Sequence, residues 1–234
     1  MGLKDDLIRN VADIIAAKRD LRDGRKVPES SDVGFLGTAV KLDAVFLYAD
    51  LRDSTTLATK DKNVTANVFQ VFLSTMSRVI KAESGEIRSF DGDRVMAVFI
   101  GDSRFDAAAR CGLKMSWAFL NIVKPKLEAA FPKGLAGFTL GYTAGIDAGE
   151  IWAVRGGVRN DNDLVWVGRA PNLGAKLSAM KSGFRTYITG TVYDKLSASV
   201  KNGGSPSQSM WDERSWTDQD KMRIYRSNWT WTIS

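Results

Sequence analysis

The stretch from Asp43 to Ile100 constrains the fold most. An apolar run, Ala44-Val45-Phe46-Leu47-Tyr48-Ala49, ends on Asp50-Leu51-Arg52-Asp53-Ser54-Thr55-Thr56. A short apolar run with aromatic and β-branched residues reads as a buried strand, here with an acid at its C-terminal end. Asn63 to Ala82 then places Val64, Val68, Val71, Phe72, Met76, Val79 and Ile80 on one helical face, with Gly85 as a stop signal. Glu86 to Ile100 reads as a hairpin turning at Asp91-Gly92. Two strands of one sheet bring Asp50 and Asp93 to one edge. A carboxylate pair held there suits a hard cation such as Mg²⁺, which takes oxygen ligands and leaves positions for substrate phosphates. The same spacing fits two solvated turn residues, because Asp is common in turns. Spacing alone leaves both readings open.

The rest of the chain extends this β-α-β-β pattern. Leu7, Val11, Ile14, Ile15 and Leu21 form a helical stripe within Leu3 to Leu21, and Asp23 to Thr38 reads as a linker. Residues 1–41 are thus expected to be an N-terminal helix and linker, and 42–234 the main domain. Arg104 to Phe131 reads as a helix, Phe138 to Ala148 as a strand, and Gly149 to Val158 as its partner strand. A polar turn at Arg159 to Asp163, a strand at Leu164 to Val167, a helix from about Pro171 to Met180 and a strand at Arg185 to Thr189 follow. A short helix is expected at Thr191 to Ser197, and the alternation Trp229-Thr230-Trp231-Thr232-Ile233 reads as a last strand. Its rings, with Trp211 and Trp216, are expected to pack on the sheet or in a dimer contact. The order fits an α+β, ferredoxin-like split βαβ sheet with extra C-terminal strands.

Composition narrows the chemistry. With 234 residues, 44% hydrophobic and 26% charged, the chain fits one sizeable core. It has no histidine and one cysteine, Cys111. That removes the Ser-His-Asp triad, the usual imidazole base and common zinc sites, and excludes an intramolecular disulfide. A lone cysteine fits a reducing cytoplasm, and Cys111 reads as a core residue. No apolar run reaches membrane-spanning length. The net charge of +6 and pI near 9.4 fit an anionic partner, for which a nucleoside triphosphate is sufficient. Scattered basic residues argue against nucleic acid.

Four segments, in order, resemble the class III nucleotide cyclases. Ala49-Asp50-Leu51 with Ser54-Thr55 is similar to their first metal-binding motif, and Gly85-Glu86-Ile87 through Gly92-Asp93-Arg94-Val95-Met96-Ala97-Val98-Phe99 to their second. Gly145-Ile146-Asp147-Ala148-Gly149-Glu150 resembles the strand pair that follows, and Val167-Gly168-Arg169-Ala170-Pro171-Asn172-Leu173-Gly174-Ala175-Lys176-Leu177 their asparagine-bearing helix. Within that family the chain is most similar to the bacterial pyrimidine cyclases of anti-phage Pycsar systems.

The resemblance implies a metal-dependent cyclase in a head-to-tail homodimer. Asp50, Asp93 and the Leu51 carbonyl would hold two Mg²⁺ or Mn²⁺ ions. Backbone N–H groups from Arg52, Asp53, Ser54, Thr55 and Thr56 would cradle phosphates. Arg52 either adds charge there or is a surface arginine. Asn172 would orient the ribose, and Lys176 stands where the family has an arginine on the α-phosphate. Lysine keeps the charge and loses the bidentate fork. Arg169 or Lys181 could substitute for it, and Arg185 or Lys221 are weak candidates for holding pyrophosphate.

Base choice rests on further positions. The purine-reading positions of the adenylyl and guanylyl enzymes hold Ser89 and Val165, so neither purine code is present. Ser89 can read a ring carbonyl or N–H, with Tyr48, Phe90 and Trp166 narrowing the pocket. UTP is therefore expected before CTP, giving 3′,5′-cyclic UMP, and the resemblance implies that this product activates a separate effector. The alternatives are an adenylate or guanylate cyclase, or a catalytically silent module that kept the fold for dimerisation or sensing.

Overall fold

The computed structural model describes residues 2–233, which divide into two compact units. The larger comprises 44–148 with 170–233, and the smaller 2–43 with 149–169.

In chain order the elements are α1 (Leu3–Ala16), β1 (Asp20–Asp23), a 3₁₀ turn (Ser30–Asp32), β2 (Thr38–Leu51), α2 (Ser54–Lys60), α3 (Lys62–Ala82), β3 (Glu86–Asp91), β4 (Arg94–Phe99) and α4 (Arg104–Ala118). A π-helical turn (Phe119–Val123) leads into α5 (Lys124–Ala130), then β5 (Tyr142–Val158), β6 (Asp161–Val167), α6 (Arg169–Ser178), β7 (Thr186–Thr189), α7 (Gly190–Asp194) and α8 (Ala198–Lys201). A small hairpin of β8 (Asn202–Gly203) and β9 (Gln208–Ser209) precedes β10 (Asp212–Trp216) and β11 (Met222–Ser227).

In the larger unit the sheet runs β10-β11-β7-β5-β2-β4-β3. Its β5-β2-β4-β3 part is the split βαβ arrangement expected from the sequence, with β7, β11 and β10 added beyond β5. Val45, Leu47 and Ala49 of β2 and Val95, Ala97 and Phe99 of β4 share one face. They form a core with Val68, Phe72 and Met76 of α3 and Cys111 and Met115 of α4. Cys111 is fully buried. The Asp61 side chain accepts from the backbone N–H groups of Asn63 and Val64 and so starts α3.

Several expectations are corrected. The β3–β4 turn is centred one residue later than expected, on Gly92-Asp93, because Asp91 pairs with Arg94. Gly92 takes φ +60°, which glycine adopts without steric cost. The turn after the first acidic motif leads directly into α2, which contradicts no expectation. Gly149 to Val158 is no separate partner strand: β5 runs straight through to Val158 and turns at Asn160 (φ 74°) into β6, whose first residues are the expected polar turn. Trp229 to Ile233 forms no strand. Instead Trp231 N–H donates to the Leu113 carbonyl at 3.1 Å, and Trp229, Trp231 and Ile233 pack on the core. Alternate burial, which the sequence pattern encodes, is achieved here without a ladder partner.

In the smaller unit β1 pairs in parallel with the first residues of β2, and β6 pairs antiparallel with β5 from Trp152↔Val167 to Val158↔Asp161. The supposed linker is tied down: Val33 is buried, Ser30 Oγ bonds Asp163 Oδ1 at 3.1 Å, and Arg155 stacks over Phe35 at 4.1 Å. Helix α1 stops at Ala16, short of Leu21, and buries none of its residues.

Candidate active site

The site forms on the face of the sheet that α3 and α4 leave open. Directly opposed residues of an antiparallel pair point to the same face. The register Asp50↔Arg94↔Asp91 therefore makes one row of side chains, and Tyr48↔Met96↔Ser89 the next. Asp93 sits in the turn between β3 and β4. Its Oδ2 is buried without a hydrogen-bond partner. The Asp50 carboxyl is pushed up to about 6 by burial first and then by the Asp93 charge, with Arg94 opposing. Both features describe carboxylates short of positive charge.

That donor set fits a hard divalent cation. Two carboxylates with a neighbouring backbone carbonyl supply oxygen ligands and leave coordination positions for phosphate oxygens. Leu51, the last residue of β2, is buried beside Asp50. Among the described residues no group of three or more His, Cys, Asp and Glu could hold a metal. The other acid of that row, Asp91, is engaged by Arg94 at 2.6 Å.

Arg94 is the residue that sequence reasoning missed. Its guanidinium lies over the Tyr48 ring, 5.7 Å from the centroid. Its place in the hairpin register, opposite Asp50, was the available signal. Burial pushes the Tyr48 hydroxyl up to about 12, so it remains a hydrogen-bond donor at neutral pH.

The turn after β2 is built differently from expectation. Arg52 does not reach out over the turn expected to hold phosphates. Its Nε donates to Thr143 Oγ1 at 2.8 Å, its Nη2 donates to the Phe184 carbonyl, and its backbone N–H donates to Gly141 O at 2.9 Å. Thr143 in turn donates to Met180 O at 3.1 Å. Arg52 is therefore a strut between the turn and the α6–β7 loop. Asp53 takes the left-handed conformation, φ 54°, at the start of α2 and pairs with Lys181 at 2.9 Å. Ser54 and Thr55 form the first turn of α2.

Helix α6 is seated by glycines. A Cβ on Gly145 would lie 2.3 Å from Gly174 O and 2.4 Å from Ser178 N, and one on Gly174 would lie 3.1 Å from the Tyr48 ring. The helix thus packs against the site's own sheet face. Asn172 and Lys176, one turn apart, are exposed on it. Lys176 Nζ reaches Gln219 Oε1 at 3.3 Å, at the edge of a cavity of about 650 Å³ that Lys181, Arg214, Trp216 and Arg226 also line.

Other expected residues are placed elsewhere. Phe90 opposes Val95, so it faces away from Ser89 and Tyr48 and is largely exposed. Val165 is exposed on β6, where it opposes Val154. Arg185 is committed to Ser116 Oγ, at 2.5 Å, and to the Asn228 carbonyl. Lys221 lies exposed in the β10–β11 turn at φ 58°.

Among solved structures the fold matches the adenylyl cyclase CyaB from P. aeruginosa, with a TM-score of 0.66 over 84% of this chain and 96% of that one at 20% identity. It also matches the guanylyl cyclase Cya2, with a TM-score of 0.67 over 82% and 94% at 20% identity. The architecture is that of the class III nucleotide cyclases. No family profile matches the chain. Curated relatives from Xanthomonas perforans (40% identity, all of both chains) and Rhodovulum sp. strain MB263 (38%, covering 98% of this chain and 97% of that one) are each named uridylate cyclase. The chain belongs to this family of uridylate cyclases, and it is a nucleotide cyclase.

Proposed function

We propose that the protein converts UTP to 3′,5′-cyclic UMP and pyrophosphate, in a head-to-tail homodimer with two sites at its interface. The observation that carries the metal-dependent reading is the orphaned, buried Asp93 Oδ2 beside an Asp50 carboxyl raised to about 6. The substrate reading is supported by the uridylate cyclase relatives and by Ser89 and Tyr48 sharing one face beside the acids.

In the reaction a bond forms between the 3′-oxygen and the α-phosphorus. The bond from that phosphorus to the β-phosphate bridging oxygen breaks, and the 3′-hydroxyl proton passes to solvent. Mg²⁺ or Mn²⁺ held by Asp50, Asp93 and the Leu51 carbonyl would acidify the hydroxyl and neutralise the triphosphate. Asn172 from the other subunit orients the ribose through its amide. Lys176, on the same face of α6, neutralises charge at the α-phosphate as a point charge. Backbone N–H groups of 53–56 hold the terminal phosphates. Ser89 and Tyr48 read the base edge.

By the same family reasoning the product is a messenger for a separate effector in anti-phage defence, made in the cytoplasm. No helix among the described residues is long and apolar enough to cross a membrane. Product identification after incubation with each of the four triphosphates and Mn²⁺ tests the substrate. Faster turnover of ATP than of UTP overturns it.

A further inference from the structure

Helix α1 is 14 residues long and buries no side chain. Leu7 is 52% exposed, Ile8 59%, Val11 52%, Ile14 49% and Ile15 79%. A lone helix of this length is marginal in water, so its apolar stripe calls for a cover. We infer that the cover is α1 of a second copy, packed antiparallel about a two-fold axis at Val11. This inference is independent of the substrate and the metal site.

The pattern of the sequence carries it. Leu7, Ile8, Ile14 and Ile15 stand four and three residues before Val11 and three and four after it. At 100° per residue they fall within about 60° of Val11 around the helix. The stripe is therefore its own mirror when the chain direction is reversed, as an isologous contact requires. Leu7 then meets the other copy's Ile15, Ile8 meets Ile14, and Val11 meets Val11.

The charges at the helix ends follow the same symmetry. Arg9 and Asp13, two residues either side of Val11, lie about 160° round the helix from it and stay outside the contact. Asp5 and Asp6 open the helix, while Lys18 and Arg19 follow its end. Antiparallel packing brings these clusters together, and it also opposes the two helix dipoles. Parallel packing would set acid against acid and base against base.

A lipid surface fits worse. Within α1 three acids, Asp5, Asp6 and Asp13, outnumber Lys4 and Arg9. Helices that lie on anionic membranes carry a basic polar face. Two helices of this length also bury less than the roughly 1,200 Å² of a stand-alone dimer, so the contact adds to another interface.

Single cysteines in the full chain test this, because the native Cys111 is fully buried. Under mild oxidation Val11→Cys should link to itself. Leu7→Cys should not, since two such positions are about 12 Å apart along the axis of an antiparallel pair. A mixture of Leu7→Cys and Ile15→Cys should link. Charge reversal at Asp5 and Asp6 to Lys should weaken the Val11→Cys link, and adding Lys18→Asp and Arg19→Asp should restore it. Self-linking of Leu7→Cys, or no link in Val11→Cys protein that melts like the parent, overturns the proposal. Co-sedimentation with phosphatidylserine vesicles also overturns it.

Discussion

Asp50 on β2 stands directly across the ladder from Arg94 on β4, and Asp93 is the residue immediately before that arginine. One strand pair thus sets two acids and a compensating cation within reach of each other. Removing either acid should cost more than a peripheral contact. Asp50→Ala and Asp93→Ala are each expected to lower turnover by about 10³-fold or more, equivalent to about 4 kcal/mol of transition-state stabilisation. Steady-state rates against Mg²⁺ and Mn²⁺ concentration, with circular dichroism to confirm folding, provide the check.

Without metal, Asp50 should make the protein less stable as pH rises. Its folded carboxyl titrates at about 6 and the unfolded one near 3.8. Between these values the native state holds a proton that the unfolded chain has released. Stability therefore falls as pH rises from about 4 to about 6, and stays lower above. Asp50→Asn should flatten the profile, and Mg²⁺ should raise the melting temperature at neutral pH but not at pH 4. Melts of metal-free protein across that window test the sign.

If the two halves of each site come from opposite subunits, two dead variants should rescue one another. In a random mixture of Asp93→Ala and Asn172→Ala, half the dimers are mixed, and each has one intact site. Activity should recover to about a quarter of the parent's. A mixture as inactive as its components would mean that each protomer builds its site alone.

Gly145→Ala should damage α6 without touching a reacting group. Its new methyl would overlap the backbone at Gly174 and Ser178. A loss of about 1–3 kcal/mol in stability is expected, as for other overpacked interiors. Turnover should fall as well, because Asn172 and Lys176 move with the helix. Chemical denaturation and kcat, measured together, test it.

Arg52 offers a test of structure against binding. As a strut to Thr143 and the Phe184 carbonyl, Arg52→Ala should cost about 1–3 kcal/mol of stability. A phosphate ligand would instead raise KM and leave the melting temperature unchanged.

The positions of the two acids were legible because each ends or begins a strand whose apolar pattern is unmistakable. Asn172 and Lys176 were legible as one face of a helix because their spacing is one turn. Arg94 was hidden: its place beside the acids depends on a hairpin register that shifted by one residue from the expected turn. Arg52 was left between two readings, because sequence proximity to a turn expected to hold phosphates says nothing about where a long side chain ends. Its partners, Thr143 and Phe184, are 91 and 132 residues away. The unbroken run of β5 through Gly149 was equally opaque, since glycine inside a strand pattern reads as a break.

The Arg52 strut has one more effect. If two copies pair head to tail as proposed, the turn that Arg52 braces serves one pocket, while the α6–β7 loop it reaches adjoins the helix that serves the other. Any shift of that turn on loading is then levered into the opposite pocket. Saturation curves should depart from a simple hyperbola, and cutting the lever with Arg52→Ala should return them to one.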